Sequence, residues 1–155
     1  VMFKDEKTAK LTNLLYSYTY IEFEIEDINE KIINLGEVIS SQREIRIPEL
    51  TGLPKGSGTS DTVYSNVEKI LVTYGQEVAK LENRLEKAFK KRNMIEDLIS
   101  ILDPTEKRII ELKYFKKYKM WMISGSLNYE ERQIYRLHDK AFEKLNIVFE
   151  SGNYK

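Results

Sequence analysis

From Leu11 onward the apolar residues keep a fixed step. Leu11, Tyr18, Ile25, Ile32 and Ile39 stand seven apart, and Leu14, Ile21, Ile28 and Leu35 interleave three residues later. Two apolar positions in every seven, sustained over about four heptads, form the seam of a coiled coil. A second stripe follows: Val67, Tyr74, Leu81, Ala88, Ile95 and Leu102, interleaved with Leu71, Val78, Leu85 and Ile99, with Arg92 as its one polar break. At about 1.5 Å per residue each helix would run roughly 50–60 Å. Two matched stripes joined by one connection predict a long antiparallel coiled-coil hairpin over residues 1–101. Its seams are also long enough to pair with a second copy.

The connection, an elbow over residues 43–61, contains "TGLPKGSGTSD". A glycine-rich turn before a helix invites a phosphate-loop reading. That loop needs Gly-Lys-Ser/Thr at its end and a strand before it. Here Thr59, Ser60 and Asp61 follow Gly58, and a helical stripe precedes. The elbow therefore reads as a reversal: Pro48 and Pro54 stop the first helix, glycines turn the chain, and Ser60 or Asp61 caps the next. A binding role for Lys55 and the amides of Gly56–Ser60 is the competing reading.

The periodicity changes after Leu102. Asp103 or Thr105 can cap a helix that carries Pro104 in its first turn and Ile109, Ile110, Leu112 and Phe115 on its apolar face. A basic run, "KYFKKYK", leads into a short apolar helix with Trp121, Ile123 and Leu127, then a turn at "SLNY". Ile134, Leu137, Ala141 and Leu145 then mark the inner stripe of a longer helix. Short helix, tight turn, longer helix predicts a helix-turn-helix domain over residues 102–155.

If that stripe is buried, Arg132, Gln133, Tyr135 and Arg136 are left outside near the start of the longer helix, as are Asp139 and Lys140. A recognition helix carries its base-reading donors there. Arg132, Gln133, Tyr135 and Arg136 are the candidate base contacts; Lys113, Lys116, Lys117, Lys119 and Lys140 are the candidate phosphate contacts. Trp121 is expected as a core anchor, and His138, beside the inner stripe, as a packed or phosphate-neighbouring residue.

Charge changes this picture only slightly. The chain has 25 basic and 25 acidic residues, so any basic face must be local. Residues 102–155 hold eleven Lys/Arg against eight Asp/Glu, an excess of the sign that DNA requires. There is no cysteine, which excludes a disulfide scaffold or thiolate metal site. No apolar run approaches the ~20 residues of a membrane span, and the first ten residues lack the apolar core of a signal peptide. No metal cluster, nucleophile with its base, or paired carboxylates are legible, so no enzyme, cofactor or metal is expected.

The segment "LDPTEKRIIELKYF", followed by "WMISGSLNYEERQIYRLHDKAFEKL", resembles region four of bacterial sigma factors. More closely it resembles the C-terminal domains of phage late transcriptional regulators of the ArpU and RinA type. The matching positions are Trp121, Ile123, Leu127, Tyr129, Arg132, Tyr135, Arg136, Leu137, His138, Ala141 and Leu145, and the elbow is also similar. Ser124, Met122, Gly125 and Glu130 depart from the usual pattern. The resemblance implies an all-α phage or prophage regulator in the cytoplasm of a bacterial host. Such a protein binds double-stranded DNA and activates late genes with host RNA polymerase. The alternatives are a small terminase-like DNA-packaging subunit and an interaction protein that has lost DNA and binds polymerase or a host factor.

Overall fold

The computed structural model describes the backbone of residues 2–46 and 60–152 and the side chains of residues 6–43 and 65–152. Among these residues the protein is all-helical, with no strand. Helix α1 spans Met2–Arg46 and α2 spans Ser60–Ile99; α3, Pro104–Ile110, runs on into a π-helical turn, Glu111–Phe115. Helix α4 covers Met120–Leu127, and α5 covers Glu131–Ser151. Helix α1 continues to Arg46 and α2 starts at Ser60, so Ser60 and Asp61, expected as caps, lie within the helix. The remainder of the elbow, with Pro48, Pro54, Lys55 and the glycines, lies outside the described residues.

The chain forms two compact units, and both long helices contribute to each. One unit contains Val1–Phe23 and Ala88–Lys155; the other is Glu24–Lys87. The first turns of α1 and the last of α2 thus belong to one unit with α3, α4 and α5.

In the Glu24–Lys87 unit, Ile25, Ile28 and Leu81 are buried. Farther along the same stripes Ile32, Leu35, Ile39, Val67, Leu71, Tyr74 and Val78 are only half-buried. Arg84 Nη2 lies 3.3 Å from Glu24 Oε1. An exposed pair of this kind contributes only about 0.2–1 kcal/mol, so the apolar seam holds the unit.

In the other unit the buried face widens beyond the heptad stripe. Leu15 and Leu98, neither of them a stripe position, are fully buried beside Leu11, Ile95 and Ile99. A helix facing several neighbours needs a broader apolar face than one facing a single partner. Arg92, the break in the second stripe, lies 4.9 Å over the Phe89 ring and 3.8 Å from Glu96, so its guanidinium stays at the edge of the seam.

Helix α3 starts as its sequence directs. Asp103 is the N-cap, Pro104 occupies the first turn, and Asp103 and Glu106 form a reciprocal capping box. Ile109 and Leu112 join Met120, Ile123 and Ile134 in one apolar cluster, with Tyr118, Leu127 and Leu137 packed against it. That cluster holds α3, α4 and α5 together.

Candidate nucleic-acid interface

The outer face of α5 is set by what its inner face buries. Ile134, Ala141 and Leu145 are fully buried, Phe142 nearly so, and Leu137 is half-buried. At 3.6 residues per turn this leaves Arg132, Gln133, Tyr135 and Arg136 exposed on both sides of Ile134. Tyr135 is 48% exposed. The helix begins after Glu130, whose extended backbone is the N-cap, and α4 ends at Asn128 in the left-handed region (φ 56). Asparagine tolerates that conformation better than most residues. The Ser124 hydroxyl donates to the Tyr129 carbonyl at 2.6 Å and fastens the turn. This bond gives Ser124 a local role.

A buried acid anchors α5 to α3. Glu106 is 1% exposed. Lys144 Nζ donates to Glu106 Oε2 at 2.8 Å and lies 3.4 Å from Asp103. Its hydrogen bond to Glu106 comes first among the causes that raise the Lys144 pKa above the usual lysine range. Lys140 Nζ stands 3.6 Å from Glu106 Oε1, beyond hydrogen-bond reach, and that oxygen has no hydrogen-bond partner among the described residues. Lys140 is thus exposed yet drawn toward an internal carboxylate. The signal for Glu106 was legible as the Asp-x-x-Glu spacing of a capping box, although its burial was not.

The five lysines expected at phosphates have different settings. Lys113 is half-buried, with its amine 5.9 Å from the Tyr114 ring centre. Lys116, Lys117 and Lys119 are exposed on the turn between the π segment and α4. Lys117 has a left-handed backbone (φ 58), a conformation that costs a non-glycine residue about 1 kcal/mol. The Tyr118 amide donates to the Leu112 carbonyl at 2.9 Å, closing the turn beneath it.

Trp121 corrects the sequence reading: it is 63% exposed, and Met120 takes the buried position beside Ile123. The reason is helical phase. Met120 and Ile123 are three apart and face the cluster, so Trp121 and Met122 between them face outward. His138 is packed, as expected. Its Nε2 lies 2.8 Å from Tyr114 Oη, its Nδ1 lies 3.3 Å from Asp139, and its ring stacks on Phe142. Tyr114 and Phe142 complete this aromatic cluster, their rings 5.6 Å apart.

A groove of about 610 Å³ lies between the start of α1 and the later turns of α5, lined among others by Lys7, Asp139, Glu143 and Glu150. Its acidic lining has the wrong sign for nucleic acid, so the α5 start and the lysine turn define the candidate interface. Among the described residues, no cluster of side chains suits a metal ion, and no helix is long and apolar enough to cross a membrane.

The molecule is therefore an all-helical protein with a donor-rich face at the start of its last helix. The chain belongs to the family described as "Protein of unknown function (DUF722)", whose family model matches residues 7–146. No curated protein and no solved structure matches it.

Proposed function

We propose that the protein is a sequence-specific DNA-binding regulator of transcription that acts through a helix-turn-helix made of α4, the turn at 128–130 and α5. One observation carries this reading: Arg132, Gln133, Tyr135 and Arg136 are exposed in the first turns of α5 while Ile134, among them, is fully buried. Arg132 and Arg136 can each pair with guanine through two hydrogen bonds, and Gln133 can do so with adenine. Tyr135 reaches a phosphate or a thymine methyl. Exposed Lys116, Lys117 and Lys119 hold phosphates and add affinity without sequence information. The likeness of residues 121–145 to the ArpU and RinA type supports a phage or prophage setting, with host RNA polymerase as partner in the bacterial cytoplasm.

In this reading the two long helices form an antiparallel coiled-coil hairpin. The half-buried seam residues from Ile32 to Ile39 and from Val67 to Val78 favour a homodimer paired through that hairpin.

The test is binding to DNA selected from the protein's own genome. Arg132→Ala and Arg136→Ala should each weaken specific binding by about 1–3 kcal/mol and relax preference at one base pair. Unaltered binding and preference in both variants would remove α5 as the reading helix. A second reading, an interaction protein without DNA affinity, is favoured by Glu130 and Glu131, both exposed beside the arginines. It predicts negligible affinity even at low salt, where a DNA binder gains steeply.

A further inference from the structure

The lysine turn is fastened from α1, an element outside the proposed helix-turn-helix. Phe115 ends the π turn, and its carbonyl accepts a hydrogen bond from the Thr19 hydroxyl at 2.8 Å. Carbonyls at a helix end lack an intrahelical partner, so this donor satisfies a group that water would otherwise hold. The Phe115 ring stacks on Tyr18 with centroids 4.0 Å apart, and Lys117 Nζ lies 5.1 Å over the Tyr20 ring. Tyr118 packs inward against the apolar cluster. The turn is thereby held between α1 below and α4 ahead, with Lys116 and Lys119 turned out and Lys117 exposed over the Tyr20 ring.

Lys116 and Lys119 form no ion pair among the described residues, and α4 carries no charged side chain. Just beyond Lys119 stands the exposed ring of Trp121. Three cations and an indole within six residues suit an anionic partner with apolar surface between its charges. A sugar–phosphate strand supplies both, and the indole N–H can donate to a phosphate oxygen.

We propose that residues 116–121 are a preformed clamp for the backbone of duplex DNA, and that Thr19 on α1 is its positioning residue. This inference rests on the DNA-binding reading and adds to it the long helix as a determinant of affinity. The occupied turn reads no bases. Thr19 touches no DNA and acts through the Phe115 carbonyl.

Trp121 is the only tryptophan in the chain, so its emission reports on this site without a label. The full chain is titrated with a fluorescein-labelled duplex of random sequence at low salt. Anisotropy reports binding, and tryptophan emission with acrylamide quenching reports the place. Trp121 should become shielded in step with the anisotropy. Thr19→Val should weaken binding about tenfold and flatten its salt dependence, whereas Thr19→Ser, which keeps the hydroxyl, should bind as the parent does. Lys119→Ala should lower the log–log salt slope by about one unit.

Binding with Trp121 unshielded, or with Thr19→Val indistinguishable from the parent, overturns the clamp and leaves the DNA reading standing. An absence of binding to random and genomic duplexes overturns both. If Thr19→Val fails to fold by circular dichroism, Trp121 shielding and the Lys119→Ala slope decide the matter. Equal shielding by polyglutamate would assign the site to an acidic protein.

Discussion

Tyr114 Oη lies 2.8 Å from His138 Nε2 and joins the π turn after α3 to the middle of α5. With its proton on Nδ1, where Asp139 is 3.3 Å away, the imidazole accepts the tyrosine hydroxyl at Nε2, and both ring nitrogens are satisfied. Phe142 stacks on the imidazole, and Tyr16 meets Tyr114 edge-on at 4.9 Å. Burial pushes the Tyr114 hydroxyl well above the usual tyrosine range, with Tyr16 and Asp139 adding to the effect. The pair therefore links α5 to the π turn in its neutral form.

That neutrality gives stability a pH dependence. Burial lowers the His138 pKa below 6.5, opposed by the hydrogen bond and charge of Asp139 and reinforced by the charge of Lys113. Below pH 6.5 the unfolded chain takes up this proton before the folded one does. The stabilisation is thus complete above that pH and is lost as pH falls from it through the lower pKa of the folded state. Denaturant midpoints should fall on the acid side in the parent, and the fall should shrink in His138→Phe. Tyr114→Phe leaves the Nε2 acceptor unmet and should cost about 1–3 kcal/mol near neutral pH.

Glu106 gives a second prediction through its unequal partners. Glu106→Gln keeps the shape but weakens charged hydrogen bonds, and should cost about 2 kcal/mol in chemical denaturation. Lys144→Ala should destabilise more than Lys140→Ala, since Lys144 sits 2.8 Å from the buried carboxylate and Lys140 sits 3.6 Å away. A larger loss from Lys140 would contradict this arrangement.

Gly125 is open to improvement. A Cβ added there meets nothing within 4 Å, and the residue lies within α4. Gly125→Ala should raise stability by about 0.5–1 kcal/mol, mainly by restricting the unfolded chain. Thermal denaturation measures it; a destabilised variant would mean that α4 needs the bare backbone.

The lysines should separate by salt dependence. Substituting Lys116 or Lys119 by alanine should lower the log–log slope of DNA affinity by about one unit each. Lys113, half-buried beside Tyr114, and Lys140, drawn to Glu106, should change the slope less. Slopes equal for all four would mean that Lys113 and Lys140 also reach phosphates.

Periodicity determined most of the local structure. The seven-residue steps from Leu11 and from Val67 foretold two long helices, Asp103–Pro104 foretold the start of α3, and Ile134, Leu137, Ala141 and Leu145 foretold the inner face of α5. These features arise from contacts within a few turns, so neighbouring residues suffice to reveal them. The exposed setting of Arg132, Gln133, Tyr135 and Arg136 follows from the same arithmetic.

Tertiary packing decided the remainder. Trp121 is outside because Met120 and Ile123 filled the apolar cluster first, and an aromatic residue's size does not reveal which side of a short helix its neighbours will claim. Leu15 and Leu98 are buried because α1 and α2 meet more than one partner in the unit they share with α3, α4 and α5. Thr19 and Phe115 are ninety-six positions apart, as are no residues within one helix. Periodicity shows which face of a helix is apolar; only the folded chain shows what that face meets.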